Sequence, residues 1–311
     1  MRNIDLDSLE IFKAVVDVGS VVKAAAHLNR VPSNVTTRIK NLEERLGVQL
    51  FQRYGGKLTP SAEGELLLGY ADRLLRIATE AELAMRRAKP QGVLRIGTLE
   101  STAAARLPPL LAAFHQRYPD VQIEMVTGTS TALIARIHRY EIEAAFVSEP
   151  FQLADVETQP MFTEDLVLIA SKNAKHVETA RDLQGCTIVA FATGCSYRTI
   201  FERWLTTIGV MPTRILELGS YHAIVACVAA GSGVGIVPRS VLRAVHTETE
   251  VKILPLPADV ALTRTHLVWR AGHRSLSLDA FKKEIALFSA PTESARAVAA
   301  EDPSFEATAA S

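Results

Sequence analysis

Apolar residues recur at helical spacing through the first 60 positions of the chain. Leu6, Leu9, Phe12, Ala14, Val15 and Val16 form one helical stripe, which Gly19 ends. Ser20 can cap a second, Ala-rich helix over 21–28. After a turn at 29–31, Pro32 opens a third helix, where its missing N–H costs nothing. Val35, Ile39, Leu42 and Leu46 share one face of that helix, and Gly47 stops it. Two short segments, 48–54 and 57–59, joined by Gly55-Gly56, read as a hairpin. Helix, tight turn, helix and hairpin make a winged helix-turn-helix, whose third helix enters the DNA major groove. A small helical bundle with a polar surface is the plainer alternative.

On that third helix, Pro32, Ser33 and Asn34 occupy the first turn, while Thr36, Thr37, Arg38 and Lys40 lie off the apolar stripe. The hydroxyls of Ser33, Thr36 and Thr37 suit phosphate or base edges. Arg38 or Lys40 can neutralise phosphate or read guanine. Arg53 and Lys57 fall on the wing, beside the adjacent DNA backbone. Residues 61–89 read as one long helix, entered through Pro60-Ser61 and stopped by Pro90-Gln-Gly92. Along it Leu67, Tyr70, Leu74, Ile77, Ala81 and Ala84 recur at intervals of three and four, a heptad seam suited to dimerisation.

From Gly92 onward strands and helices alternate. Strands are expected at 93–97, 121–126 and 144–147, with helices at 107–118 and 132–140. The pattern restarts after Phe162 with strands at 166–170, 187–191 and 214–218, and helices at 197–208 and 224–230. A strand at 265–270 and a helix at 278–288 return to the first half, so that two strands cross the hinge. The fold class is α/β behind an N-terminal winged helix-turn-helix. The expected domains are 1–60 for the winged helix and 61–89 for the linker and dimerisation helix. Residues 90–289 form the α/β part, with one lobe at 92–161 and 267–289 and the other at 162–266. Residues 290–311, rich in Ala, Ser, Thr and Glu, read as a disordered tail.

Composition is that of an ordinary globular protein, and it excludes global disorder and a disulfide scaffold. Its 34 basic and 34 acidic residues sum to zero, which by itself argues against a nucleic-acid partner. The distribution reverses that argument. Residues 1–60 hold nine basic and six acidic residues, a net of +3, leaving −3 for the remainder. Between Lys23 and Lys57 seven basic residues face only Glu43 and Glu44, a local net of +5. The sequence begins with acidic rather than basic residues and has no long apolar run, so a cytoplasmic protein without membrane contact is expected.

The chain resembles the LysR-type transcriptional regulators. The N-terminal likeness rests on Leu9-Glu-Ile-Phe12, Gly19-Ser-Val-Val-Lys-Ala-Ala-Ala-His-Leu28, Ile39-Lys-Asn-Leu-Glu-Glu-Arg-Leu-Gly47, Leu50-Phe-Gln-Arg53 and Leu58-Thr-Pro-Ser-Ala-Glu-Gly64. The C-terminal likeness rests on Leu94-Arg-Ile-Gly97, Leu107-Pro-Pro-Leu-Leu-Ala-Ala-Phe114, Tyr118-Pro-Asp-Val121, Gly128-Thr-Ser130 and Val228-Ala-Ala-Gly-Ser-Gly-Val-Gly-Ile-Val-Pro238. The resemblance implies an effector domain built like a periplasmic binding protein, double-stranded promoter DNA and a small-molecule effector as partners, and a homotetramer assembled from dimers. The chain departs from the family at the third helix. It carries Val31-Pro32 where the family often has Ser-Gln, and Thr36-Thr37 where it often has Ser-Arg. The basic residue comes one position later, at Arg38, a rotation of about 100°.

In a two-lobed α/β domain the ligand belongs at the carboxyl ends of strands and the starts of helices. Thr98, Glu100, Ser101 and Thr102 follow the first strand; Thr129 and Ser130 follow the second. Ser196, Tyr197 and Arg198 open one later helix, and Ser220 and Tyr221 precede another. Hydroxyls and free N–H groups suit a carboxylate, with Arg198 as a direct partner. Glu100 would oppose an anion or bind an amine. A carboxylate or amine-bearing metabolite is expected. Cys195, at a helix start, is a candidate for a lowered thiol pKa. With Cys186 it offers a redox switch, and with His222 a cysteine-dependent enzyme. Cys186 and Cys227 read equally as small core residues. The Gly-x-Ser-x-Gly, phosphate-loop and His-Glu-x-x-His patterns are missing, so neither catalysis nor a cofactor or metal is expected.

Overall fold

The computed structural model describes residues 3–54, 57–85, 89–151, 154–174 and 180–289. The tail expected to be disordered, 290–311, lies outside the described residues. The chain divides into two units, Met1–Ala88 and Lys89–Ser311.

In the first unit, α1 (Leu6–Val18) starts at Asp5, whose carboxylate accepts from the Ser8 N–H, and ends at a left-handed Gly19. Ser20 caps α2 (Val21–His27), and α3 (Pro32–Leu46) follows with Pro32 in its first turn. β1 (Phe51–Tyr54) and β2 (Lys57–Pro60) pair antiparallel as the wing. The long α4 (Ala62–Met85) closes the unit. Leu9, Phe12, Val15, Ala24, Val35, Leu42 and Leu50 form the core. Gly64 is required where α4 passes the wing, because a Cβ there would stand 2.2 Å from the Leu50 carbonyl oxygen.

The seam expected on α4 needs correction. Leu67 and Ala71 are buried in the core of their own unit, whereas Tyr70, Leu74, Ile77 and Ala81 are exposed. The helix turns its first two turns inward to cover α1, so Leu67 is not free for a partner. The Ala84 side chain lies outside the described residues.

Asp5 also binds Arg45 at 2.9 Å. The Ser8 backbone N–H, with smaller help from the Ser8 hydroxyl and Arg45, holds its carboxyl at about 2 against partial burial. A depressed carboxyl contributes stability above its unfolded value and loses it as pH falls toward the folded one. Asp5→Ala should therefore cost about 1 kcal/mol at pH 7. The gap to wild type should shrink as pH falls from about 4 toward 2, as urea melts at several pH values would show.

The second unit opens with β3 (Gly92–Thr98), α5 (Glu100–Ala105), α6 (Leu107–Arg117), β4 (Val121–Thr127), α7 (Ser130–His138) and β5 (Ala144–Ser148). β6 (Val156–Ser171) leads to β7 (Thr187–Phe191), α8 (Ser196–Thr207), β8 (Arg214–Leu218), α9 (Tyr221–Ala229) and β9 (Gly235–Pro238). Then come α10 (Arg239–Ala244), β10 (Val251–Pro255), α11 (Ala258–Ala261), β11 (Leu262–Arg270) and α12 (Leu276–Ser289). The main sheet runs β10-β6-β11-β5-β3-β4, with β9 also on β6 and the parallel β7-β8 pair separate. β3 lies parallel to β4 and β5, and β11 antiparallel to β5 and β6. Phe114, Phe146 and Phe281 pack one lobe, and residues of β7, α8, α9 and the second half of β6 share the core of the other.

The expected strand at 166–170 is the second half of β6, which runs unbroken from Val156. Its first half alternates between half-buried and exposed residues around Pro160, so no apolar run marks it. Proline is tolerated there because the β6-β11 register shifts between Thr265 and His266, leaving Met161 unpaired. The lobe divisions expected at 161/162 and 266/267 thus fall inside two continuous strands. β10, α10 and α11 carry no clear periodicity in the sequence.

Candidate functional site

The starts of α5, α7, α8 and α9 converge on one recess between the lobes. Leu99, Glu100, Ser101, Gly128, Thr129, Ser148, Phe191, Cys195, Ser196, Tyr197 and Tyr221 line it. Of the residues predicted from sequence, Glu100, Ser101, Thr129, Ser196, Tyr197 and Tyr221 meet there. Leu99, Ser148 and Phe191 are lining residues that sequence reasoning missed. Each stands at a strand end or helix start, so the rule that locates the others applies equally to them. Leu99 and Phe191 escape a search for small polar groups, and Ser148 is hidden at the end of an apolar strand.

Hydrogen bonds cross the recess from lobe to lobe. The Ser196 hydroxyl donates to the Ser148 carbonyl oxygen at 2.6 Å and lies 2.8 Å from the Ser130 hydroxyl. The Ser148 N–H donates to Ser130 Oγ at 3.2 Å. Ser101 and Tyr197 meet through their hydroxyls at 3.5 Å. Glu100 accepts from the Ser220 hydroxyl and the Tyr221 N–H, each at 3.4 Å. Tyr221 stacks on Phe191 with ring centroids 5.1 Å apart. Ser130 and Ser220 thus sit just behind the lining.

Other predicted residues are engaged elsewhere. Thr98 is buried and its hydroxyl donates to the Leu99 carbonyl oxygen. The Thr102 hydroxyl is buried without a hydrogen-bond partner among the described residues. The guanidinium of Arg198 is held by Glu202 at 2.8 Å, Glu217 at 2.6 Å and the Phe191 carbonyl at 3.2 Å. These acceptors satisfy it within its own lobe, so it does not wait for an anion.

The expectation of a lowered Cys195 thiol is overturned. Burial raises its pKa and outweighs the N–H groups of α8's first turn and the Tyr221 hydroxyl 3.8 Å away. Burial also raises Cys186, whose thiol donates to the Asp182 carbonyl. Cys186, Cys195 and Cys227 are all free thiols.

In the first unit, Pro32, Ser33, Asn34, Thr36, Thr37, Arg38 and Lys40 are exposed on α3, opposite or beside Val35 and Ile39. Thr36 and Thr37 spend their hydroxyl protons on the Pro32 and Ser33 carbonyls, at 3.0 and 2.9 Å, and offer acceptors outward. Arg38 lies 3.4 Å from Asp7, which it shares with Arg30. Lys40 is exposed to solvent. α3 has no side-chain cap; Pro32 has no N–H and the Asn34 N–H donates to the Val31 carbonyl at 3.0 Å, so the Ser33 N–H is the first-turn donor left toward phosphate. The Arg53 and Lys57 side chains lie outside the described residues.

Residues 6–65 match the family model for bacterial regulatory helix-turn-helix proteins of the lysR family, and residues 87–287 match that for the LysR substrate binding domain. The chain belongs to the LysR family of transcriptional regulators. It is 37% identical to the HTH-type regulator YusT of Bacillus subtilis, across 84% of this chain and 88% of that one. It is 35% identical to GltR of the same organism, across 80% and 84%. A full-length variant of OxyR from Pseudomonas aeruginosa shares the fold with a TM-score of 0.66 at 22% identity, covering 92% of this chain and 96% of that one. CbnR, solved with its target DNA, gives 0.64 at 21% identity, covering 91% and 99%. The regulator is therefore a DNA-binding protein with an effector domain and not an enzyme, which removes the reading of Cys195 and His222 as nucleophile and base. Among the described residues, no helix is long and apolar enough to cross a membrane.

Proposed function

We propose that this regulator reads promoter DNA through the exposed face of α3, with the wing beside it, and that a small metabolite in the inter-lobe recess modulates that binding. The metabolite class that suits the recess is a carboxylate or an amine. The observation that carries the reading is the set of bonds joining Ser196 to Ser148 and Ser130, and Glu100 to Tyr221, across a cavity. A ligand that replaces these bonds changes the balance between open and closed lobes, and so biases whatever the lobes are attached to. Dimerisation through the exposed Tyr70, Leu74, Ile77 and Ala81 on α4, and assembly into a tetramer, place several winged helices on one promoter. CbnR, a relative in fold, has been captured on its target DNA, which supports DNA as a partner here.

The test is a thermal-shift screen of metabolites on the full chain, followed by promoter-binding titrations with each hit. Binding to the folded state raises apparent stability, by about 2.7 kcal/mol at a hundredfold excess over Kd. Ser101→Ala with Thr129→Ala should weaken a genuine effector about tenfold or more, since each removes a hydrogen-bonding group worth about 1 kcal/mol. The same variant should leave promoter affinity without effector unchanged. An effector that binds the double variant as well as wild type would show that the recess is not its site.

A further inference from the structure

The recess carries charge of one sign only. Among its described lining residues Glu100 is the one carboxylate, and no Lys, Arg or His lines the wall. Arg198, the cation nearest in sequence to that lining, is turned to Glu202, Glu217 and the Phe191 carbonyl.

Helix starts usually make such a cleft receptive to anions, but the starts of α7, α8 and α9 already have occupants. Thr129 Oγ1 accepts from the Ala132 N–H at the head of α7. Glu100 itself accepts from Tyr221 at the head of α9. Over the head of α8 sits the buried Cys195 thiol.

Glu100 is under-satisfied in return. Its two bonds, both 3.4 Å, are long for a charge-assisted pair, which prefers roughly 2.7–2.9 Å, and a carboxylate offers about four acceptor sites. Beside it, Phe191, Tyr197 and Tyr221 present an aromatic wall. Tyr221 stacks on Phe191 and lies 6.3 Å from Tyr197 between centroids. A carboxylate next to aromatic rings is the pairing that holds an ammonium group.

Resting on the reading of the recess as the effector site, we propose that the effector is a small ammonium-bearing molecule, its charge on Glu100 and its hydrocarbon against Phe191, Tyr197 and Tyr221. Burial raises the Glu100 carboxyl pKa, opposed by the Tyr221 N–H, the Ser220 hydroxyl and the nearby His222; a bound cation relieves that penalty.

The experiment titrates the full chain with two matched pairs, butylammonium against butyrate and benzylammonium against benzoate, by calorimetry and thermal shift. The ammonium member of at least one pair should bind and raise the melting temperature, and its carboxylate counterpart should not. Glu100→Gln keeps an acceptor for Tyr221 and Ser220, so the fold is retained, and it should weaken ammonium binding about tenfold or more. Ser101→Ala reports on the recess independently of charge. If neither ammonium binds, the proposal is overturned. A carboxylate that binds wild type and is lost in Ser101→Ala overturns the cationic class while leaving the recess as the effector site. Ammonium binding that is equal in wild type, Glu100→Gln and Ser101→Ala overturns the site itself.

Discussion

Replacing Arg106 by alanine should destabilise the effector domain by about 3 kcal/mol and lower its melting temperature by about 10 °C. Arg106 stands between α5 and α6 and grips Glu164 of β6 with two parallel bonds, Nε at 2.8 Å and Nη2 at 3.1 Å. Ser240 of α10 donates to the same carboxylate at 2.6 Å. The Glu164 side chain is only 3% exposed, while that of Arg106 is 34% exposed and lies over the Phe162 ring. Losing the guanidinium leaves a carboxylate inside the protein with one hydroxyl donor, the costly case of a buried pair broken on one side. Partial exposure of Arg106 lets water reach the gap, which keeps the cost at the low end of the usual range of about 3–5 kcal/mol. Adding Glu164→Gln to Arg106→Ala should recover part of the loss, because the amide still accepts from Ser240 without a charge to bury. Calorimetry of the two variants decides the matter: a shift under about 2 °C for Arg106→Ala would show that the pair contributes little.

That pair also marks a limit on what the sequence revealed. Arg106 and Glu164 are 58 positions apart and belong to no periodic pattern, so nothing local announces them. The first 60 residues were legible because Ser20 and Pro32 mark two helix starts, Gly19 and Gly47 mark two helix ends, and apolar stripes lie between. α4 was legible as a helix but not in its partners. Leu67 and Tyr70 fit the same heptad, but α4 passes close to Leu50 at Gly64 and Leu67 is buried in its own unit. In the effector domain, strand ends pointed to the right loops, because parallel strands deliver their carboxyl ends to one edge. Which groups stay available there depends on long-range partners. Arg198 reads as an anion ligand until Glu217 is seen against it, and Cys195 reads as reactive until burial is weighed against the helix start.

Arg38→Ala combined with Lys40→Ala should weaken promoter binding about 100-fold near 0.1 M salt and flatten its dependence on salt. Each phosphate that is no longer neutralised reduces the slope of log affinity against log salt by about 0.9. With two subunits on two half-sites, up to about four phosphates are released, a fall in slope of about 3–4. The two residues are not equivalent. Arg38 is held beside Asp7, an exposed pair worth at most about 1 kcal/mol, and must leave it to meet DNA. Lys40 has no such partner among the described residues and lies farther from the buried stripe of Val35 and Ile39. Lys40→Ala alone should therefore account for more than half of the change in slope, and Asp7→Asn, which frees Arg38, should strengthen binding at low salt. Because these residues are exposed, the melting temperature should stay within about 2 °C of wild type, so weakened binding reports on the DNA interface and not on folding. Titration of promoter DNA at several salt concentrations supplies both numbers. An affinity and slope equal to wild type in the double variant would remove α3's basic face from the DNA interface.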